Sequence, residues 1–307
     1  MKKILYLHCG THKTGTTTIQ HYLNDNKSLL EKNNLIYPSI GKTKKIFYAQ
    51  HGIAWSISGD PRIKYEQNKE FLSDFFKFLK DSEKNLVMSS EDFQFYNIEK
   101  NSYSKFCEEL DKADYKIKPI IYLRNQIDFF KGIYQILLML GVQFLDCEHA
   151  LNIIKEKNNR LELKENKLTF LFNYFELIEN IKEKLNFTDN DIICKSYDEN
   201  RENLIKSFNN IIGINEDVEF DYHKNIGLPQ LVIELLETLN KNFKRSNIDF
   251  KTAANARKNI LFNEIYRLGE KFKIDDENIK IFFKNEFYQS NSLIEKIYNI
   301  EINKFLI

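Results

Sequence analysis

The sequence predicts an α/β chain: a central parallel sheet of about five strands, helices between them, and a helical C-terminal cap. Two observations carry this. Short apolar runs ending in polar or glycine residues, the mark of strands buried on both faces, recur through the first 200 residues and alternate with helical spacing. Beyond about residue 200 only helical spacing remains. The strand runs are Ile4–His8, Leu35–Pro38, Asn85–Ser89, Lys118–Leu123 and Asp191–Ser196. Between them, Thr17–Asn24 opens a helix. Phe71, Phe75, Phe76 and Leu79 form one apolar stripe, and Phe129, Ile133, Ile136 and Leu137 another. This alternation is the pattern of βαβ units. In the last third, Leu204–Ile212 ends at Gly213, a glycine placed to stop a helix, and Leu231–Leu239, Ile260–Phe272 and Ser292–Tyr298 continue as amphipathic helices. No linker rich in Pro, Gly or Ser and no internal repeat divides the chain. Residues 1–307 are therefore read as one domain, an α/β core over about 1–200 and a cap over about 201–307.

Composition narrows the function classes. With 45 basic and 44 acidic residues the net charge is +1, so nothing draws the whole chain to nucleic acid or a membrane surface. An anion site has to be local. The cysteines Cys9, Cys107, Cys147 and Cys194 are scattered, with no C-x-x-C pair and no Cys/His grouping at ligand spacing, which points away from structural zinc or a disulfide framework and toward buried thiols. The basic opening Met1-Lys2-Lys3 is followed by an apolar run that stops at His8, too short for a signal peptide. The apolar stretch from Gly132 to Leu145 is interrupted by Gln135 and Gln143 and is too short to span a bilayer. The expectation is a cytoplasmic enzyme without an integral membrane segment.

The first strand runs into Cys9-Gly10-Thr11-His12-Lys13-Thr14-Gly15-Thr16-Thr17-Thr18 and then a helix. In a strand–glycine loop–helix unit, backbone N–H groups and a helix N-terminus converge on one spot suited to phosphate or sulfate. Gly10 and Gly15 have Walker A spacing, but the Walker lysine position is Thr16 and the lysine stands three residues earlier, at Lys13. A Walker lysine reaches the outer phosphates of a nucleoside triphosphate. A lysine at the leading edge of the loop can instead meet the bridging oxygen of a phosphosulfate.

This run resembles the 5′-phosphosulfate loop of sulfotransferases that use 3′-phosphoadenylyl sulfate (PAPS), in particular the bacterial single-domain kind with an H-K-T-G-T-T-S-I-Q sequence. The resemblance implies a three-layer P-loop-like fold. It also implies that Lys13, Thr14, Gly15, Thr16 and Thr17, with Thr18 beside them, hold the phosphosulfate. The family's second signature is a strand ending in arginine with a serine eight residues on, the two gripping the 3′-phosphate. Arg124 closes Ile120-Ile121-Tyr122-Leu123, and its planar fork suits a phosphate. The serine position is Gly132, a departure that removes the hydroxyl and places in a helix a residue roughly 1 kcal/mol less favourable than alanine. Either Lys131 or a later basic residue takes the place of that hydroxyl, or the grip is weaker. Weaker matches continue: Tyr174-Phe175-Glu176, the strand to Tyr197, Asn225-Ile226-Gly227-Leu228, and Ser290-Asn291.

Sulfuryl transfer is an in-line displacement governed by positioning and charge stabilisation, as phosphoryl transfer is. The resemblance implies PAPS as donor, adenosine 3′,5′-bisphosphate as product, and no obligatory metal. The acceptor needs a base. Glu91, after the third strand where open α/β sheets place ligands, is the first candidate, and His51, in the loop before Ala54-Trp55, the second. Each has a structural alternative: Glu91 as the cap of the next helix, His51 as a hydrogen-bonded core histidine. His8 is expected in sheet packing, His12 beside the site, and Trp55 in core. His149 and His223 read as surface residues, with Lys224 in reach of the nucleotide. The acceptor, a hydroxyl or amine of a small molecule or glycan, follows by family analogy alone. Tyr48, Phe93 and Tyr96 belong either to a sugar platform or to core. Oligomeric state is not legible. Two rivals remain. A P-loop kinase or NTPase would use Glu91-Asp92 as a degenerate Walker B acid, and a non-catalytic binding protein would explain Gly132.

Overall fold

The computed structural model describes residues 2–43, 48–60, 65–94, 100–140, 146–163, 168–218, 220, 227–246, 252, 255, 269–274 and 276–306. Five parallel strands form the central sheet: β1 (Lys3–His8), β2 (Leu35–Ile36), β3 (Asn85–Ser89), β4 (Tyr115–Leu123) and, last in chain order, Ile193–Ser196. Their spatial order is β2-β3-β1-β4 followed by Ile193–Ser196. Leu5 pairs with Leu86 on one side and Ile117 on the other, which fixes β1 at the centre. A sheet with parallel neighbours on both sides needs crossover helices, and these cover both faces.

Alternation along the strands sorts residues to those faces. Leu5, Leu7, Leu86, Met88, Ile121 and Leu123 share a fully buried cluster with Ile53, Phe75, Phe106 and Leu177. These last four come from α3 (His51–Ser58), α4 (Tyr65–Asp81), α5 (Lys100–Lys112) and α8 (Tyr174–Leu185). On the opposite face Tyr6, Val87, Ile120 and Tyr122 meet Ile19, Tyr22 and Leu23 of α1 (Thr16–Asp25), Leu30 of α2 (Lys27–Lys32) and Leu204 and Phe208 of α10 (Leu204–Ile212), with Tyr197 of the short α9 (Tyr197–Asn200) packed against them. Each fully buried aliphatic or aromatic side chain contributes about 1.5–3 kcal/mol, so the sheet is clamped between two apolar layers. Helices on both faces of one parallel sheet give the three layers the sequence predicts.

Details depart from the predicted boundaries. β4 starts at Tyr115, three residues before the predicted Lys118, because Tyr115 and Ile117 are inward positions alternating with Lys116 and Lys118. Pro119 is tolerated inside it. Ile120 turns its carbonyl to Cys9 of the β1 side, so the N–H missing at 119 faces the side where pairing with Ile193 begins only at Ile120. An antiparallel pair, β5 (Arg160–Leu163) and β6 (Leu168–Leu171), is not predicted by the sequence. It joins a third apolar cluster with α6 (Gln126–Leu140), α7 (Cys147–Glu156), α11 (Gln230–Arg245) and α12 (Glu277–Tyr298). Leu204–Ile212 and the left-handed Gly213 that ends it form as expected. In the predicted helix Ile260–Phe272, residues 260–268 lie outside the described residues. Phe272 itself is not helical, since neighbouring Lys271 bridges Pro229 and Phe272 N–H bonds the Leu228 carbonyl. The described cysteines carry free thiols, Cys9 and Cys194 buried and Cys107 and Cys147 half-buried rather than buried. Among the described residues no helix is long and apolar enough to cross a membrane.

Candidate functional site

Parallel strands bring their carboxyl ends to one edge, and three of them deliver the predicted residues there. β1 delivers the loop. Gly10 and Gly15 have φ of 56° and 72°, and Lys13, without a glycine's freedom, also sits in the left-handed region at 68°. A Cβ on Gly10 would lie 2.6 Å from Thr16 Oγ1, and one on Gly15 would lie 2.3 Å from Leu204 Cδ2, so both glycines are required by space and by φ. The first bond of α1 runs from Ile19 N–H to the Gly15 carbonyl, which leaves the N–H groups of Thr16 and Thr17 without a carbonyl of their own helix. Thr14 Oγ1 donates to the Thr11 carbonyl at 2.6 Å, and Thr16 Oγ1 approaches the same carbonyl at 3.4 Å. Both hydroxyls thus close the loop on itself. Thr17 and Thr18 stand half-buried on the first turn.

Lys13 adds the charge. Its ammonium makes no hydrogen bond or ion pair among the described residues. Burial pushes it down to about 8, with Arg124 pushing the same way and Glu91 opposing. A desolvated cation beside a backbone cradle fits an anionic ligand such as a phosphosulfate, whose charge would offset that desolvation.

β4 delivers Arg124, which the protein itself engages. Its Nη1 donates to the Lys13 carbonyl at 3.0 Å, its Nη2 lies 3.3 Å from Asp128 Oδ2, and its guanidinium lies 5.3 Å from the centre of the Tyr197 ring. Asp198 stands 4.0 Å from its Nε and accepts from Asn125 N–H at 2.7 Å, while Tyr174 Oη donates to the Arg124 carbonyl. Asp128 also takes Lys131, 3.5 Å away. Burial raises the Asp128 carboxyl, but Arg124 and Lys131 outweigh it and hold the group below its usual range. Asp198 is raised by burial. The Arg124–Gly132 pair meets the loop directly, because the stem of Lys13 crosses α6 at Gly132.

β3 delivers the acids. Ser90 caps the short turn Glu91–Phe93, its Oγ accepting from Asp92 N–H at 3.1 Å and lying 2.7 Å from His51 Nδ1. Gln50, fully buried, accepts from the Ser89 N–H through its side chain and donates its own N–H to the Ser89 carbonyl, which ties the start of α3 to the end of β3. His51 consequently faces the acids, with Nε2 4.0 Å from Glu91 Oε2 and Nδ1 3.3 Å from Asp92 Oδ2. Trp55 is not simply core. It stacks on His51 and donates to Asp92 at 2.6 Å. Glu91 accepts from Gln20 of α1 at 3.0 Å. Burial raises its carboxyl, yet His51 and His12 more than offset this and set it below the usual range, so it is ionised at neutral pH. Its side chain keeps 22% exposure against 6% for His51.

His12 lies beside this group. One ring nitrogen is 2.8 Å from Gln94 Nε2, the other 3.9 Å from Asp92, and its ring meets the edge of Phe170 on the unpredicted hairpin. His8 is where the sequence puts it, in sheet packing, against Ser89 Oγ, Tyr122 and Phe208. Phe93 belongs to the core, and Tyr48 packs its ring on His21. His149 is half-buried. Tyr96, His223, Lys224, Asn225 and Ile226 lie outside the described residues. The sequence reading does not find Gln20, Gln50, Ser90, Gln94, Asp128 and Asp198. Only Ser90, three residues before an aromatic and just after a strand, carries a local capping signal.

No family model matches the sequence, and no curated protein is significantly similar to it. Among solved structures, the chain is similar to a sulfotransferase from Alicyclobacillus acidocaldarius, with a TM-score of 0.53 over 97% of each chain at 12% identity. That is a likeness of fold. A chain of the PezAT toxin-antitoxin system of Streptococcus pneumoniae superposes at a TM-score of only 0.36, over 83% of this chain and 87% of that one at 13% identity, too low to bear on the site.

Proposed function

We propose that the protein is a sulfotransferase, moving a sulfuryl group from PAPS to a hydroxyl or amine of a small-molecule or glycan acceptor. The observation that carries this reading is one helix serving two chemistries. The first turn of α1 closes the lysine-bearing anion loop, and Gln20, one turn further along, holds an ionised carboxylate at the same sheet edge. The solved sulfotransferase of the same fold supports the class of reaction.

The donor supplies an activated sulfur whose leaving group is a stable phosphate. Backbone N–H groups at Gly15, Thr16 and Thr17 orient the phosphosulfate, and Lys13 meets the charge that develops on the bridging oxygen as its bond to sulfur breaks. The acceptor oxygen forms the new bond to sulfur. Its proton passes to Glu91, the more exposed member of the Glu91–His51 pair. His51, held by Asp92 and Ser90, keeps the carboxylate ionised and in place. Arg124, braced between the loop and two acids, meets the 3′-phosphate where Asp128 yields to it.

Calorimetry separates this reading from a kinase or NTPase. Adenosine 3′,5′-bisphosphate binds at least about tenfold more tightly than ATP, a difference of about 1.4 kcal/mol, with or without magnesium. ATP binding equally well, or only with magnesium, sinks the reading. Transfer of label from ³⁵S-PAPS to an acceptor panel then tests catalysis against mere binding.

A further inference from the structure

We infer that Gly132 is a positioning residue for Lys13: the missing side chain on α6 is the slot in which the lysine stem lies. A Cβ built at 132 would stand 2.7 Å from Lys13 Cγ, 3.1 Å from its Cβ and 3.2 Å from its Cδ. The nearest of these atoms, Cγ, sits one bond beyond Cβ, so the stem clears an added Cβ only by leaving its χ1 rotamer, which redirects the whole side chain. The root is fixed from both ends. Lys13 has φ of 68°, and its carbonyl is held by Arg124 Nη1 at 3.0 Å. With the backbone held, the stem retreats by changing rotamer, and the ammonium leaves its present direction.

Arg124 and Gly132 belong to one unit, β4 and the start of α6, and together they grip one residue, its backbone by a guanidinium and its stem by an absence. The helix gains nothing from glycine here, since alanine at a mid-helix site is favoured by about 1 kcal/mol. The glycine is explained by what crosses it. The charged groups facing the Lys13 ammonium are Glu91 after β3, Arg124 after β4 and His12 in the loop. On α6 itself Lys131 and Asp128 pair with each other. The slot thus sets both the direction of the ammonium and its desolvation among these groups.

The test uses Gly132→Ala in the full chain. Lysines are reductively methylated with ¹³C, and the Lys13 resonance, assigned by its loss in Lys13→Ala, is titrated by NMR without ligand. In the wild type the expected midpoint is about 8, because burial disfavours the charged ammonium. In Gly132→Ala it rises toward the ordinary value of about 10.4, because a displaced stem carries its ammonium toward water. The thermal midpoint shifts little, because the helix gain of about 1 kcal/mol is set against the displacement of the Lys13 stem. Should Gly132→Ala fail to fold, the same change is made in a Lys13→Ala background: recovery of folding there, where no stem crosses position 132, supports the inference, and continued failure overturns it.

The kinetic arm rests on the sulfotransferase reading. Gly132→Ala lowers kcat by up to about 10²-fold, the scale of a misplacement near 1 Å, and in a Lys13→Ala background the same change alters kcat less than about twofold. An unmoved Lys13 midpoint in Gly132→Ala overturns the inference, and so does full additivity with Lys13→Ala. Absence of sulfuryl transfer in every variant overturns the functional reading alone, and the titration still decides the role of Gly132.

Discussion

The loop from Gly10 to Thr18 and the cluster around Glu91 share one edge of the sheet, yet one is built of backbone and the other of side chains. The loop takes its shape from three left-handed residues within six positions, and the hydroxyls of Thr14 and Thr16 bond within it. The cluster draws on His12, Gln20, Gln50, His51, Ser90, Glu91 and Asp92, residues from four separate segments joined through side chains. An edge assembled this way has one half whose shape is set by backbone and another whose charge state depends on several coupled groups.

Substitutions can break this contrast, and the largest effect is expected in the side-chain half. Glu91→Gln keeps the shape and one acceptor oxygen but removes basicity, so turnover falls by roughly 10²–10⁴ while bisphosphate binding survives. His51→Asn is its partner experiment: activity retained in Glu91→Gln and lost in His51→Asn assigns the proton to histidine. If neither change matters, the cluster is structural and the two halves do not form one site. In the backbone half, Lys13→Ala lowers kcat by about 10²–10³ with little change in product affinity, since the lysine acts on charge that develops during transfer. A variant that keeps more than half its turnover shows that backbone alone suffices there.

The smallest effect concerns stability. Buried His8, pushed down to about 4 by desolvation, is neutral when folded, whereas in the unfolded chain it titrates near 6.5. Between these values the unfolded state binds more protons, so stability falls as pH drops from about 6.5 to 4. His8→Phe removes this dependence. Denaturant midpoints at pH 7 and pH 5 differ less in the variant than in the wild type, by about 1–2 kcal/mol of unfolding free energy, and an equal slope in both shows that His8 does not carry it.

The contrast between the halves also explains what could be read from the sequence. Glycine spacing, the displaced lysine and the apolar strands are local signals, and they place the loop, the five strands and Arg124 correctly along the chain. Gln20, Gln50 and Asp198 carry no such signal, because their partners lie 71, 39 and 73 residues away. Gly132 reads as a lost hydroxyl, and only the neighbouring stem of Lys13 gives it a spatial meaning. The hairpin β5–β6 escapes for a different reason. Arg160-Leu161-Glu162-Leu163 alternates over only four residues, and no Asn-Gly or Asp-Gly follows it.

The sheet order has a consequence for how the protein comes into being. Leu5 lies beside Leu86 and Ile117, partners 81 and 112 positions further along the chain. Contacts of such long range are formed only after long stretches of chain have been closed, and folding dominated by them is slow. A nascent chain that ends before residue 115 carries the whole Gly10–Thr18 sequence but lacks β4, Arg124 and Gly132. On the proposed reading, the complete donor site is assembled only when the sheet is, so a donor would bind the finished fold rather than template its early stages.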